Sequence, residues 1–308
     1  MSNQKHQYKD IGGQAVMEGV MMRNADKYAV AVRKTDGEIV VKTEEYKGIV
    51  QNKKIRSLPI IRGVFSFIDS MVLGMSTLTY SASFFMDEEE EEKDEKKESV
   101  MMGLTIACSV VMAVAIFMIL PYFLSQLFRK FTDSTTLITL LEGAVRLVIF
   151  FGYILLISRM KDIQRVFMYH GAEHKCINCI EHGMELNVEN VLKSSRLHKR
   201  CGTSFLFIVM IVSIIFFLFI RIESPIWRVV FRLLLIPVIA GVSFEFIRLA
   251  GKSENKLVIF LSKPGMMLQK LTTREPDASM AEVAIASVEA VFDWRAYLKE
   301  NFGWQEKV

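Results

Sequence analysis

The chain has 308 residues, of which 51% are apolar and 23% are charged, and its formal net charge is +4. Mean hydropathy is +0.29, which is high for a soluble protein, and no charged residue lies between residues 99 and 128 or between residues 202 and 220. Because about 20 consecutive apolar residues can cross a bilayer as a helix, this pattern excludes an ordinary soluble globular protein. The 22 Phe and 18 Met residues exclude a chain that is disordered throughout.

Cysteine content and charge distribution exclude further classes of protein. Four cysteines are too few for a disulfide framework. The basic residues are spread over short loops and form no single stripe, so we predict no nucleic-acid partner. The first apolar run begins beyond residue 55, and we expect no signal peptide.

Residues 1–62 predict a small β-rich segment on the cytoplasmic side of a membrane. Two valine-bearing runs, residues 28–33 and 38–42, flank an Asp-Gly pair at residues 36–37, which is a strong hairpin signal. The glycine-rich segment before them, residues 11–23, lacks the spacing of the phosphate-binding glycine loops. We interpret it as a structural or docking turn in preference to a ligand cradle.

Residues 63–86 predict an interfacial amphipathic helix. The segment is apolar, but Asp69 and many Ser and Thr residues make it less hydrophobic than a typical span. A re-entrant helix is the alternative. Residues 87–99 alternate acidic residues with lysine and predict a solvated charged linker.

Residues 100–250 predict a membrane domain of four helices. The predicted spans are residues 100–128, 135–158, 202–220 and 226–250. The loop at residues 159–202 holds eight Lys and Arg residues, whereas residues 129–134 hold two and residues 221–225 hold one. Because short loops rich in Lys and Arg stay in the cytoplasm, we predict that the long loop and both termini are cytoplasmic. A fifth span at residues 63–86 would place the basic loop outside.

Ionisable residues inside the spans are candidates for function, because burying a charge is costly unless it is paired. Glu142 and Arg146 share one face of the second span, and Glu245 and Arg248 share one face of the fourth, so we predict local ion pairs. Glu142 and Arg232 lie at similar depths, and we predict that they pair across helices. Both structural ion pairs and a substrate or proton path are open interpretations.

The long cytoplasmic loop holds most of the histidine and cysteine of the chain. His170, Glu173 and His174 spell His-x-x-Glu-His, and on a helix these positions share one face. Both imidazoles can then bind one metal ion while Glu173 polarises a water molecule. His198 and Cys201, directly before the third span, add nitrogen and sulfur donors.

Three interpretations of this cluster stay open. A metal site is catalytic if one coordination position is free, and structural if four are filled, for which Cys176, Cys179, His198 and Cys201 have acceptable spacing. A hydrogen-bonded His/Glu network without metal is the second. A Cys-x-x-Cys redox pair is the least favoured, because the sequence lacks the thioredoxin βαβ context.

Residues 251–308 predict a cytoplasmic tail that contains an amphipathic helix. We expect this helix at residues 277–299, with Asp277 as its N-cap and apolar residues at helical spacing. The apolar stripe predicts a face for core packing or membrane docking.

Four segments make the chain similar to the YqhQ family of bacterial multi-pass membrane proteins. They are residues 12–23, 62–64, 169–175 and 201–205. The resemblance extends from about residue 8 to residue 295 and implies a metal-dependent enzyme of the bacterial inner membrane without a settled reaction. It implies a site that comprises His170, Glu173, His174, Glu181, His198 and Cys201, and a second functional surface that comprises Gly13, Gln14, Glu18 and Arg23. Cys176, His182 and Lys199 depart from the family pattern, so Cys176 and His182 are poor candidates for ligands.

The sequence therefore predicts a mainly α-helical integral membrane protein with a zinc-dependent hydrolase centre and a membrane-associated substrate. The predicted metal ligands are His170 and His174 with His198 or Cys201, and Glu173 is the predicted general base. The alternative is a non-enzymatic scaffold or regulator that docks a protein partner and whose cluster is structural. A transporter is a weaker alternative, because four spans without an internal repeat are few for that role.

Overall fold

The structure is a computed structural model that describes residues 11–85, 95–220, 222, 224–252 and 255–305. It is mostly helical, with one small antiparallel sheet near the N-terminus. The predicted acidic linker, residues 87–99, lies outside the described residues up to residue 94. Its last residues, from Glu95, already belong to a long helix.

The N-terminal segment forms a four-stranded antiparallel meander. Its strands are β1 (Ile11–Val16), β2 (Gly19–Asn24), β3 (Lys27–Arg33) and β4 (Ile39–Glu45). The hairpin predicted around the Asp-Gly pair is confirmed, and Gly37 has a φ of 90°, which glycine adopts without steric cost. The glycine-rich segment, expected to be a turn, instead forms β1 and β2. These strands are joined at Glu18, whose φ of 47° is uncommon for a residue with a side chain.

Helices make up most of the described chain. In chain order they are α1 (Lys53–Ser57), α2 (Ile61–Ala82), α3 (Glu95–Val114), α4 (Leu120–Gln126), α5 (Thr135–Ile157), α6 (Lys161–Glu181), α7 (Val188–Lys193), α8 (Gly202–Phe219), α9 (Pro225–Lys252), α10 (Lys256–Thr272), α11 (Ala278–Val291) and α12 (Trp294–Phe302). A π-helical turn, Ala115–Ile119, joins α3 to α4 within the first predicted span. The other three predicted spans coincide with α5, α8 and α9.

Five helical segments of the described chain are long and apolar enough to cross a membrane. Four of them are the predicted spans, and the fifth, Ile61–Phe85, consists of α2 and a short 3-10 turn. Length and composition alone therefore allow one more span than the charge distribution predicts.

The contacts of α2 fix its two ends to different parts of the molecule. Near its N-terminus, Gly63 packs so closely against α9 that a Cβ there would lie 2.8 Å from the Gly241 carbonyl oxygen. Its C-terminal half packs on the sheet, where Gln14 donates to the Thr77 hydroxyl at 2.8 Å and Leu73 joins the sheet core. Helix α2 thus contacts α9 near its N-terminus and the sheet along its C-terminal half.

Both faces of the sheet are covered. Val20 and Met22 of β2 point into a core that residues of α6, α7, α11 and α12 complete. Met21 and Val30 point to the opposite face, which the C-terminal half of α2 covers. This layering places α6, which carries the His-x-x-Glu-His motif, directly against β1.

The predicted C-terminal helix is divided into two helices. Asp277 caps α11 as predicted, since its carboxylate accepts a hydrogen bond from the Met280 N–H at 2.9 Å. The helix ends at Val291, and Asp293 caps the next helix, α12. The predicted apolar stripe of α11 is buried against the sheet and α6.

Candidate metal centre

Helix α6 carries His170, Glu173 and His174 on one face, as their spacing predicts. Gly171, which lies between them, lets the Arg274 carbonyl oxygen approach so closely that a Cβ would overlap it. This approach brings the segment between α10 and α11 against α6. The segment supplies Thr272, whose carbonyl contacts His170.

The side-chain donor atoms of His170, His174 and Cys201 lie within 4.8 Å of one another. The sulfur of Cys201 is 3.3 Å from His170 Nε2. Cys201 is the N-cap of α8, and its sulfur accepts a hydrogen bond from the Thr203 N–H at 3.3 Å. The structure thus presents two nitrogens and one sulfur to a common point.

Backbone carbonyls orient both imidazoles. His170 Nδ1 lies 2.9 Å from the Thr272 carbonyl oxygen, and His174 Nδ1 lies 2.6 Å from that of Arg196. A carbonyl oxygen only accepts hydrogen bonds, so each Nδ1 donates its proton, and in the neutral form of either ring Nε2 presents a lone pair. Metal-binding histidines are held in the same way in known sites. Burial also lowers the pKa of His174, which keeps this ring neutral.

The Glu173 carboxylate lies beside the donor cluster. It is buried, it accepts a hydrogen bond from the Gly13 N–H, and its Oε2 is 3.5 Å from His174 Nε2. Burial raises the pKa of Glu173 above its usual value. A side chain at Gly13 would force its surroundings to shift, because a Cβ would overlap the Met21 carbonyl oxygen and lie 3.1 Å from Glu173 Cγ. Gly13 therefore belongs to the same site as Glu173.

His198 and Glu181 lie next to the donor cluster but are not among its three donor residues. The ring of His198 is 5.7 Å from that of His174, and its Nε2 is 3.3 Å from Glu181 Oε2. Glu181 also pairs with Arg200. Burial favours the protonated acid, but the contacts with His198 and Arg200 outweigh it and lower the pKa of Glu181. The Nε2 of His198, a predicted ligand, is thus engaged by a carboxylate.

The other cysteines of α6 lie away from the donor cluster. Cys176 and Cys179 are buried in the apolar core that α6 shares with α11 and the sheet. Burial raises the pKa of Cys176 well above its usual range and that of Cys179 to about 11, and neither sulfur lies in the group formed by the His170, His174 and Cys201 donors. His182 is exposed, and its Nδ1 lies 2.7 Å from the carbonyl oxygen of Asn178. The four-ligand structural site that would combine Cys176 and Cys179 with His198 and Cys201 is not formed.

The predicted N-terminal surface residues serve separate contacts. Gln14 holds α2, as described above. Glu18 pairs with Arg165 through both carboxylate oxygens and accepts a hydrogen bond from the Tyr169 hydroxyl at 3.3 Å. Arg23 stays within its own hairpin, where its Nε donates to the Ala25 carbonyl oxygen at 2.9 Å. Glu18 therefore fastens the sheet to α6, which supports the candidate site from one side.

The ionisable residues of the spans form a buried ion cluster. Glu142 pairs with Arg146 of its own helix and with Arg232 of α9, each at 2.9 Å through Nη2, so both predicted pairings are confirmed. Arg146 also donates from Nε to the Phe117 carbonyl oxygen in the π-helical turn, at 2.9 Å. The predicted local pairing of Glu245 is wrong, because its carboxylate binds Arg62 of α2 through Nε and Nη2.

Several residues that position the site were not predicted from the sequence. Thr272 and Arg196 orient the imidazoles through backbone carbonyls, which leave no signal in a sequence. Gln269 accepts a hydrogen bond from the His198 N–H at 2.8 Å and donates to the His198 carbonyl oxygen at 2.7 Å. A glutamine on the otherwise small and apolar buried face of α10 was a detectable signal.

Comparison with known proteins finds related sequences. Residues 58–294 match a family described as "Protein of unknown function (DUF1385)". A Bacillus subtilis (strain 168) protein described as "Uncharacterized protein YqhQ" is 36% identical over 301 residues, which cover 94% of each chain. No solved structure matches the chain significantly. The family match includes every residue of the donor cluster.

Proposed function

The chain belongs to the DUF1385 family, and we propose that this member is a membrane-anchored zinc-dependent hydrolase. Its centre would lie at the cytoplasmic face of the bacterial inner membrane and act on a membrane-associated substrate. The observation that carries this proposal is the convergence of His170 Nε2, His174 Nε2 and Cys201 Sγ, while both Nδ1 atoms face backbone carbonyls.

The donor set fits a divalent ion of intermediate softness. Two imidazole nitrogens and one thiolate are ligands that zinc prefers, and three protein ligands leave a fourth position for water or substrate, as in catalytic sites. In the form that binds metal, two neutral imidazoles and a thiolate, this set would carry one negative charge, which is costly to bury without a cation. A bound divalent ion would remove that cost.

The remaining groups suit hydrolysis. Zinc held by these donors would supply a Lewis acid to a water molecule and to a substrate carbonyl or phosphoryl oxygen. Glu173 would be the general base, which is supported by its hydrogen bond from the Gly13 N–H and by the 3.5 Å between its Oε2 and His174 Nε2. The sheet and α11 bury the middle of α6 and exclude bulk water from this side of the site.

The proposed orientation has four spans with both termini in the cytoplasm. The sheet packs on α6, which lies in the basic loop, and the C-terminal half of α2 packs on the sheet. If α2 crossed the membrane, its far end would be separated from the sheet by the bilayer. We therefore propose that α2 begins within the inner leaflet, beside Gly241, and that its C-terminal half leads back to the sheet at the cytoplasmic face.

Metal analysis of the protein purified in detergent tests the proposal. The wild type should contain about one zinc per chain by elemental analysis, and His174→Ala should contain close to none, because one of three ligands is lost. His182→Ala is the matched control, since it removes an exposed histidine from the same helix. Wild-type protein purified without chelators that holds no stoichiometric metal would contradict the proposal.

Glu173→Gln separates an enzyme from a structural metal protein. The amide keeps the shape of the side chain but cannot accept a proton, so metal content and folding should be retained while cellular complementation of a deletion strain is lost. Full complementation by Glu173→Gln would favour the scaffold or regulator and overturn the hydrolase.

A thiol enzyme is a second candidate function, because Cys201 Sγ is 3.3 Å from His170 Nε2 and caps a helix N-terminus. Alkylation of Cys201 in a Cys108→Ser background distinguishes the two. In a zinc protein, iodoacetamide should modify Cys201 only after treatment with a chelator, because the metal masks the thiolate. In a thiol enzyme, a chelator should leave the alkylation rate unchanged.

A further inference from the structure

A cavity of about 530 Å³ opens beside α6 and the end of α10. Its polar lining consists of three basic side chains, one carboxylate and two hydroxyl residues. They are Arg196, Lys270, Arg274, Glu275, Ser158 and Thr273. None of these six residues belongs to the donor cluster of the metal centre.

The cavity carries an excess of positive charge. Its one carboxylate, Glu275, is shared by Arg196 at 3.2 Å and by Lys175 at 2.9 Å. Arg274 donates to the Ser158 carbonyl oxygen at 3.0 Å, which fixes its guanidinium without neutralising it. Within the described ranges, no carboxylate pairs with Arg274 or Lys270. Two cations therefore face the cavity without a counter-ion.

The cavity spans the boundary between the apolar helices and water. Ser158 caps the end of α5 that the charge distribution places at the inner membrane surface. One turn of α10 before the cavity, Leu268 is buried with Ile154 of α5 and Met210 of α8. The basic groups thus lie at the depth of lipid headgroups in the proposed orientation.

We propose that this cavity binds the phosphate group of a ligand presented at the inner membrane surface. A fixed guanidinium and a lysine ammonium are the groups that recognise phosphate oxygens, and an apolar floor beside them suits the acyl chains of an anionic phospholipid. The inference rests on the proposed orientation of the membrane and is independent of the metal.

The cavity shares a wall with the metal centre. Arg196 contributes its side chain to the cavity and its carbonyl oxygen to His174 Nδ1. Thr273 lines the cavity and directly follows Thr272, whose carbonyl oxygen contacts His170 Nδ1. A phosphate-bearing lipid held here would lie beside the proposed hydrolytic centre, either as its substrate or as its anchor at the membrane.

Lipid binding by the full chain in detergent, counted by native mass spectrometry, tests this proposal. Phosphatidylglycerol should bind about tenfold more tightly than phosphatidylcholine, and Lys270→Glu should lose most of that preference, since each charged contact is worth about a factor of ten. Lys263→Glu is the matched control, because it makes the same charge change at an exposed position two turns earlier on α10. It should bind lipid as the wild type does.

Two further measurements distinguish a lipid from a soluble phosphate ligand, and the phosphate site from the proposed metal centre. If glycerol phosphate or inorganic phosphate competes fully with phosphatidylglycerol, the phosphate site is supported and its ligand is water-soluble. His174→Ala should retain lipid binding even where it loses metal. Equal losses in Lys270→Glu and Lys263→Glu, or no preference for any phosphate anion over phosphatidylcholine, would overturn the phosphate site.

Discussion

The ion cluster of the candidate spans and the donor cluster of His170, His174 and Cys201 bury polar groups in different ways. In the ion cluster, one carboxylate, Glu142, is bound by two guanidinium groups, and the Phe217 ring lies 5.1 Å and 4.6 Å from them. In the donor cluster, the three side chains bring two nitrogens and one sulfur within 4.8 Å of one another. The first cluster pairs opposite charges, whereas the second gathers atoms of the kind that bind a positive ion.

The hydrogen bonds of the ion cluster indicate a role in helix packing. Arg146 uses its three nitrogens for Glu142, Ser213 and the Phe117 carbonyl oxygen, so it joins α5, α8 and the π-helical turn. The Nε of Arg232 is the one guanidinium nitrogen of the cluster that is buried without a hydrogen-bond partner within the described chain. In the donor cluster, the backbone carbonyls engage the Nδ1 atoms, so that the Nε2 atoms face each other and the Cys201 sulfur.

Glu142→Gln should break the ion cluster and has the largest expected effect. It leaves two arginines buried without a counter-charge, so the free energy of unfolding in detergent should fall by about 3–5 kcal/mol, measured by chemical denaturation. Zinc content should not change. Glu245→Gln is the control and should cost clearly less, since the Glu245 and Arg62 side chains are about one quarter exposed, whereas those of Glu142 and Arg232 are 3% and 4% exposed. Equal losses in the two variants would contradict the contrast between the clusters.

Gly13→Ala should disturb the donor cluster without removing a donor. The added Cβ must push β1 away from α6 and from the Glu173 side chain, so the free energy of unfolding should fall by about 1–3 kcal/mol. Complementation should be lost while zinc is retained. Gly12→Ala is the matched control, because a Cβ there meets nothing within 4 Å. A Gly13→Ala protein that complements fully would show that Glu173 does not need this strand.

Asp277→Ala should weaken the α11 cap on which the site is supported, by about 1 kcal/mol at neutral pH. Burial favours the neutral acid, but hydrogen bonds from Ser279 and the Met280 N–H outweigh it and lower the pKa of Asp277. The stabilisation is therefore present above the unfolded pKa of about 3.9 and is lost as the pH falls through the lower folded value. Denaturation at pH 7 and pH 3 should show the difference from wild type shrinking. An Asp277→Asn protein should keep the cap without this pH dependence.

Arg165→Ala should have the smallest effect, since Arg165 is half exposed where it pairs with Glu18. Exposed pairs contribute at most about 1 kcal/mol, and this contribution should diminish in high salt because ions screen it. A loss well above that value, independent of salt, would show that Glu18 and Arg165 do more than fasten the sheet to α6.

The spans and the central part of the site were predictable from the sequence, because both depend on local spacing. Apolar runs give the limits of α5 and α8 within a residue or two, and the i, i+3, i+4 spacing places His170, Glu173 and His174 on one face. The sequence predicted either His198 or Cys201 as the third ligand. In the structure, Cys201 and not His198 is the third donor residue.

What the sequence did not reveal depends on contacts between distant segments. Glu245 pairs with Arg62 and not with the predicted partner Arg248, because α2 packs closely on α9 at Gly63 and Gly241. No local sequence pattern shows this packing. Helix α10 was missed because Pro264, Gly265 and its lysines resemble a loop, although Gly265 allows close packing against Ser204 of α8. The carbonyls that orient the imidazoles belong to the backbone and have no residue preference.

Zinc K-edge X-ray absorption of the protein purified in detergent tests whether His170, His174 and Cys201 hold a zinc ion. We expect about one zinc per chain with one sulfur at about 2.3 Å and two imidazole nitrogens at about 2.0–2.1 Å, and a spectrum without sulfur in Cys201→Ser. A zinc shell with two or more sulfurs, a shell without sulfur in the wild type, or the absence of stoichiometric metal would contradict this expectation.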